Sequence, residues 1–139
     1  MTELLPEGAK FLDMGIQEND SGQIMIAQHG EHVPFKIERV FVVQGKGAAT
    51  ERGNHAHRTC SQLMVCIAGT VEVALDDGQT QCLTTLESSA KGLLVPPLVW
   101  SHQRYLGEGS LLMVLCDEPY SADEYIREYQ DFLDLRSSQ

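Results

Sequence analysis

Turn residues cut this chain into short runs of β-formers, and that spacing favours an antiparallel, mainly β fold. The clearest run extends from Leu63 to Leu75. Gly69 interrupts it, so it reads as two strands meeting at a glycine bend. Asp76-Asp77-Gly78 closes it with a hairpin turn of the Asp-Gly kind, in which glycine accepts a positive φ. Gln79 to Thr85 is the predicted return strand. Further strands are expected around Lys10 to Met14, over Gln23 to Gln28 after the Asp20-Ser21-Gly22 turn, and over Lys36 to Val43. Lys91 to Val95 and the apolar run Leu111 to Cys116 add two more. Alternation would place Ile37, Arg39, Phe41 and Val43 on one face. His29 to Pro34 and Gln44 to Glu51 read as loops. The tail changes character. Ser121 and Glu124 have capping-box spacing, and Tyr125, Ile126, Tyr129, Phe132 and Leu133 recur at helical intervals. One amphipathic helix over about residues 121–135 is predicted, packed outside the sheet, with Tyr125 and Tyr129 holding it there.

Its 139 residues suit one domain spanning the whole chain, long enough for a core without disulfides. A net charge of −10 disfavours nucleic acid and anionic membrane surfaces as partners. An anionic small ligand stays open where arginines cluster. The longest apolar stretch, Leu93 to Trp100, holds two prolines and is too short to span a bilayer. MTELLPEGAK lacks a basic-then-apolar signal pattern, so the cytoplasm is the expected compartment. The cysteines at 60, 66, 82 and 116 lack close CxxC spacing, which argues against a zinc knuckle. Cys66 and Cys116 read as buried, reduced thiols.

Arg52-Gly53-Asn54-His55-Ala56-His57 carries the chemistry. On an extended segment His55 and His57 share a face, and imidazoles titrate near neutrality. Acid–base work in a small barrel is the first reading, and metal binding is the alternative. The spacing His55-x-His57, four residues, Gln62, six residues, Gly69 follows the cupin pattern, with a second half from Gly92 through Pro97 to His102. Cupins often place a metal-binding glutamate where this chain has Gln62, and a neutral amide neutralises a divalent cation poorly. His102 keeps a three-imidazole metal site open.

Longer stretches narrow the choice. Pro34-Phe35-Lys36-Ile37-Glu38-Arg39-Val40-Phe41, the RGNHAH segment, Gln62-Leu63-Met64-Val65-Cys66, Leu75-Asp76-Asp77-Gly78, Pro97-Leu98-Val99-Trp100 and Asp123-Glu124-Tyr125-Ile126-Arg127-Glu128-Tyr129 run nearly the length of the chain. Together they resemble the nucleotide-sugar 3,4-ketoisomerases of the cupin superfamily, which act on dTDP-4-keto-6-deoxyglucose. The resemblance implies a small antiparallel β-barrel or jelly roll with one C-terminal helix. It implies an isomerase of deoxysugar biosynthesis for cell-surface glycans, working without a cofactor or metal. His57 would be the base, and His55 would relay or donate the other proton. Arg39 and Arg52 would hold the diphosphate or polarise an oxygen, and Gln62 would face the cavity. A homodimer is also implied, with the helix and an N-terminal strand serving the contact. Phe41 replaces a common tyrosine. Ser21 and Ser101 stand at positions that help decide the C4 configuration in the family. Trp100 is a cavity wall or a core plug.

Bland readings stand beside these. Arg39 would pair with Glu38 or Glu72, Arg52 would brace its loop, and His102 would be structural. His29 and His32 would be solvated. Two other functions compete with the isomerase. One is a metal-dependent cupin enzyme using His55, His57 and His102. The other is a non-catalytic nucleotide-sugar binding module, suggested by the serines at 21 and 101.

Overall fold

A computed structural model describes residues 4–47 and 49–139. Two long antiparallel strands form its spine, β6 (Gln62–Asp76) and β9 (Trp100–Cys116). One edge of β9 carries two shorter strands in tandem, β4 (Arg39–Gln44) and β5 (Thr50–His57). The free edge of β6 carries β7 (Gln81–Leu86) and β8 (Lys91–Val95), and β1 (Lys10–Asp13) lies beyond β8. A separate hairpin joins β2 (Gly15–Asn19) to β3 (Gly22–Ile26). The result is a curled antiparallel sheet with one C-terminal helix.

The expected glycine bend is a bulge inside one strand. Register shifts flank Ala68, and Gly69 takes φ 72°. A β-carbon on Gly69 would stand 2.8 Å from the Ser110 Cα, so glycine lets β6 and β9 stay paired through the bend. Beyond it, alternation sorts β6 residues between two cores. Met64, Cys66, Val71 and Val73 join Tyr105, Leu112 and Val114 in the larger one. Leu63 and Val65 meet Met14, Val33 and Leu115 on the other side. Covering both faces explains why Gln62 to Cys66 is almost uninterrupted in apolar residues.

Several boundaries differ from expectation. β4 begins at Arg39, and Ile37 packs with the second core rather than with Phe41 and Val43. β5 starts inside the expected 44–51 loop, of which Ala48 lies outside the described residues. β9 begins at Trp100, eleven residues before the predicted run, because Trp100 to Leu106 also finds partners on β5 and β6. His32 is half-buried, its Nδ1 accepting the Gln28 N–H at 3.1 Å.

The largest correction falls in the tail. Residues 121–128 are not helical, apart from a 3₁₀ turn at Ala122–Glu124. Tyr125–Ile126 forms β10, pairing with His57 and Ala56, and the helix α1 covers Tyr129–Ser137. The capping box fails because the Glu124 carboxylate accepts the Thr59 and Cys60 N–H groups instead of reaching back to Ser121. Phe132 anchors α1, fully buried with Ile126 and Ala56. Burying such a ring is worth about 2–3 kcal/mol.

Candidate active site

The site is built where β5, β9 and β10 meet. Gly53 and Asn54 both take positive φ, 98° and 62°, and register with β9 shifts between Gly53 and His55. A side chain at Gly53 would press within 3.1 Å of the Ser101 carbonyl, so this bulge needs glycine. Past the bulge alternation resumes. Ala56 turns into the apolar cluster under Ile126, and the two imidazoles turn the other way. Their ring centroids lie 5.2 Å apart at 88°. Tyr125, delivered by β10, completes a three-ring group at 4.9 Å from His55 and 4.6 Å from His57.

These rings border a cavity of about 390 Å³ lined by Phe41, Arg52, His55, Gln62, Tyr120 and Arg127, among others. His57 is 6% exposed and outside the lining, whereas its ring neighbours His55 and Tyr125 border the cavity. Burial, followed by the nearby His55 charge, pushes the His57 pKa down to about 4; Glu124 opposes this, and Arg39 and Arg127 add to it. Burial lowers His55 as well, assisted by Arg127. Both rings are therefore neutral at pH 7, the form that can accept a proton. Neither His57 nitrogen has a hydrogen-bond partner among the described residues.

Glu124 distinguishes the two histidines. Its Oε2 lies 3.8 Å from His57 Nδ1, and its carboxylate accepts the Thr59 N–H, the Cys60 N–H and the Thr59 hydroxyl. Those donors hold Glu124 ionised, with a pKa below the usual carboxylate value even against the cost of burial. No such carboxylate stands beside His55 among the described ion pairs.

Arg39 lies between the Phe41 and Tyr120 rings, 5.2 and 5.4 Å from their centroids. Its Nη2 donates to the Tyr125 hydroxyl at 3.4 Å and to Cys116 Sγ at 3.5 Å. Neither suggested carboxylate partner is used: Glu38 pairs with Lys36 and Glu72 with Arg104. Gln62 is 4% exposed, and its amide donates to the same sulfur at 3.6 Å.

Three expected contributors are placed differently. Trp100 faces the outer side of β9, packed edge-on against Tyr129 at 5.2 Å and beside Phe132, so it is the core plug under α1. Ser101 turns inward but is buried beneath Gln103, whose amide it accepts at 3.0 Å. Ser21 sits at the exposed tip of the β2–β3 hairpin, bonded to Asn19, and does not line the cavity. The three-imidazole arrangement does not form either. His102 alternates to the outer face with Trp100 and bonds Glu51 at 3.2 Å. Among the described residues no three His, Cys, Asp or Glu side chains converge as a metal site.

Tyr125, Arg127 and Glu124 were not singled out as site residues from the sequence. A period-two signal was present: Tyr125 and Arg127 flank the buried Ile126 as they would on a strand. The helical spacing of the neighbouring apolar residues masked it.

Comparisons with known proteins agree over most of the chain. A family model described as FdtA, WxcM-like, C-terminal matches residues 7–137. The TDP-4-oxo-6-deoxy-alpha-D-glucose-3,4-oxoisomerase of Aneurinibacillus thermoaerophilus is 35% identical over 111 residues, covering 80% of each chain. Among solved structures, QdtA, a sugar 3,4-ketoisomerase from Thermoanaerobacterium thermosaccharolyticum in complex with TDP, superposes with a TM-score of 0.92 at 25% identity. That match covers 96% of this chain and 98% of QdtA. The WlaRB TDP-quinovose 3,4-ketoisomerase of Campylobacter jejuni matches with a TM-score of 0.87 at 27% identity, covering 93% and 99% of the two chains.

Proposed function

The chain belongs to the FdtA, WxcM-like family, and from that premise we propose that it moves the ketone of dTDP-4-keto-6-deoxyglucose from C4 to C3. The C4 ketone acidifies the C3 proton. A base removes that proton, and an enediolate forms with its charge on the C4 oxygen. The proton on the C3 oxygen passes to the C4 oxygen, and delivery of a proton to C4 leaves the ketone at C3 and a hydroxyl at C4. Substrate and product have equal hydrogen counts, so the reaction consumes no oxidant or reductant.

His57 is the base in this reading. The observation that carries it is the Glu124 carboxylate 3.8 Å from His57 Nδ1, placed to stabilise the imidazolium that proton abstraction creates. Both imidazoles start neutral, so the imidazolium formed at His57 is also the proton source for C4, directly or through His55. Arg52 and Arg127, both lining the cavity, suit the diphosphate. Arg39 is outside the lining but stacks on Phe41 and Tyr120, which are in it, and suits a sugar oxygen that reaches past them; Gln62 adds to the same wall.

The same reading makes the protein a cytoplasmic enzyme of deoxysugar biosynthesis. No helix among the described residues is long and apolar enough to cross a membrane. It also makes the chain a homodimer, for which the half-exposed Val40 and Val42 on β4 and Ile24 on β3 offer apolar surface. Sedimentation at micromolar concentration tests that state.

Incubation with dTDP-4-keto-6-deoxyglucose in deuterated buffer, followed by NMR of the product, tests the reaction. The expected product is the 3-keto sugar carrying solvent deuterium. His57→Asn should keep the fold and lose turnover by about a hundredfold or more. A ketone that stays at C4 would exclude the isomerase, the deuterium content at C4 reports how far the His57 proton exchanges with solvent, and tight dTDP binding without turnover would leave only a binding module.

A further inference from the structure

Arg39 is partly buried close enough to His57 for its charge to act there, and its Nε is buried without an acceptor. A guanidinium in such a place needs a counter-charge. Among the described ion pairs no carboxylate supplies one, since Glu38 and Glu72 are engaged elsewhere. What Arg39 meets is sulfur. Cys116 is fully buried, and two N–H donors converge on its Sγ, Arg39 Nη2 at 3.5 Å and Gln62 Nε2 at 3.6 Å. Both donors flank Cys116 because β9 pairs with β4 on one side and β6 on the other, opposite Arg39 and Gln62 respectively. The Cys60 thiol is a further neighbour of Cys116, its S–H donating to the Ser61 carbonyl at 3.4 Å.

We propose that Cys116 is held as a thiolate just under the cavity wall, where it positions Arg39 and Gln62 for the sugar and balances the Arg39 charge. This rests on the isomerase reading for its consequence, but not for its chemistry. A buried sulfur that accepts from a guanidinium and an amide is the arrangement that favours the anion. The Cys60 thiol is its first support, followed by Arg39 and Gln62, all working against burial to bring the Cys116 thiol pKa down. Cys60 moves up, because it keeps the shared proton and is itself buried. The other groups facing this cluster are Asp117, whose carboxylate accepts the Ser61 N–H near Cys60, the Tyr125 hydroxyl on Arg39, and His57. An anion next to Arg39 also limits how far that cation can depress the base.

Ultraviolet titration of the ligand-free protein reads the thiolate directly. One thiolate equivalent should be present at neutral pH in the wild type and in Cys82→Ser, and absent from Cys116→Ser. In the isomerase assay, Cys116→Ser should lower kcat about tenfold with KM nearly unchanged. In an Arg39→Met background the same change should cost nothing further. A wild type with no thiolate absorbance below about pH 8 would overturn the proposal, as would Cys116→Ser losses that simply add to those of Arg39→Met. If Cys116→Ser does not fold, the wild-type titration decides alone. Absence of turnover in the wild type would strike the isomerase reading and leave the titration intact.

Discussion

Replacing Glu124 by glutamine tests the acid–base assignment most directly. The substitution keeps the side-chain shape and removes one charge 3.8 Å from His57 Nδ1. At that separation two unit charges interact by about 1 kcal/mol in a water-like medium and about 4 kcal/mol at an effective dielectric of roughly 20. The Glu124 side chain is 13% exposed and that of His57 6%, so the pair falls between these limits, near about 2 kcal/mol. The imidazolium is only partly formed in the transition state, so kcat should fall about tenfold rather than by the full amount. Because Glu124 raises the His57 pKa, its loss should also move the acid limb of kcat/KM down by about one pH unit. The amide cannot accept all the donors now on the carboxylate, which costs about 1–3 kcal/mol of stability. Thermal unfolding measured alongside the pH profile separates that cost from the catalytic one. A variant with kcat within twofold of wild type and an unmoved acid limb would refute the role of Glu124 and, with it, the choice of His57 over His55.

The His57 pKa also sets a stability profile. Folded, it lies at about 4, below the free histidine value near 6.5, so the unfolded chain binds more protons between these pH values. Stability should be full above about pH 6.5 and fall by about 3 kcal/mol as pH drops through 4, and His57→Asn should remove that part of the loss in urea titrations. Phe132→Ala should cost about 3–5 kcal/mol through the cavity it leaves under α1, read as a lower urea midpoint. Gly69→Ala should destabilise by more than 1 kcal/mol, because the new methyl meets the Ser110 backbone at a positive φ; an unchanged Tm would contradict the bulge geometry.

The turn at Asp77-Gly78, the strand at Lys91–Val95 and the pairing of His55 with His57 were legible because each depends on neighbours a few residues away. Turn chemistry and period-two alternation are local rules, and they were enough to give a mainly β fold with a terminal helix and a two-histidine centre. They failed where distant segments competed for the same residues. Residues 121–128 carry a sound helix start, yet pairing of Tyr125 and Ile126 with His57 and Ala56 pulls them into the sheet. The bulge at Gly53 and the alternation of β9 decide that Ser101 turns inward while Trp100 and His102 turn away, which no count along the chain reveals. Glu124 beside His57, and Cys116 between Arg39 and Gln62, join residues more than fifty positions apart. The sequence by itself determined which side chains could move a proton. Only the tertiary structure decided which of them share a low-dielectric space, because burial and charge proximity belong to the folded surface rather than to the order of residues.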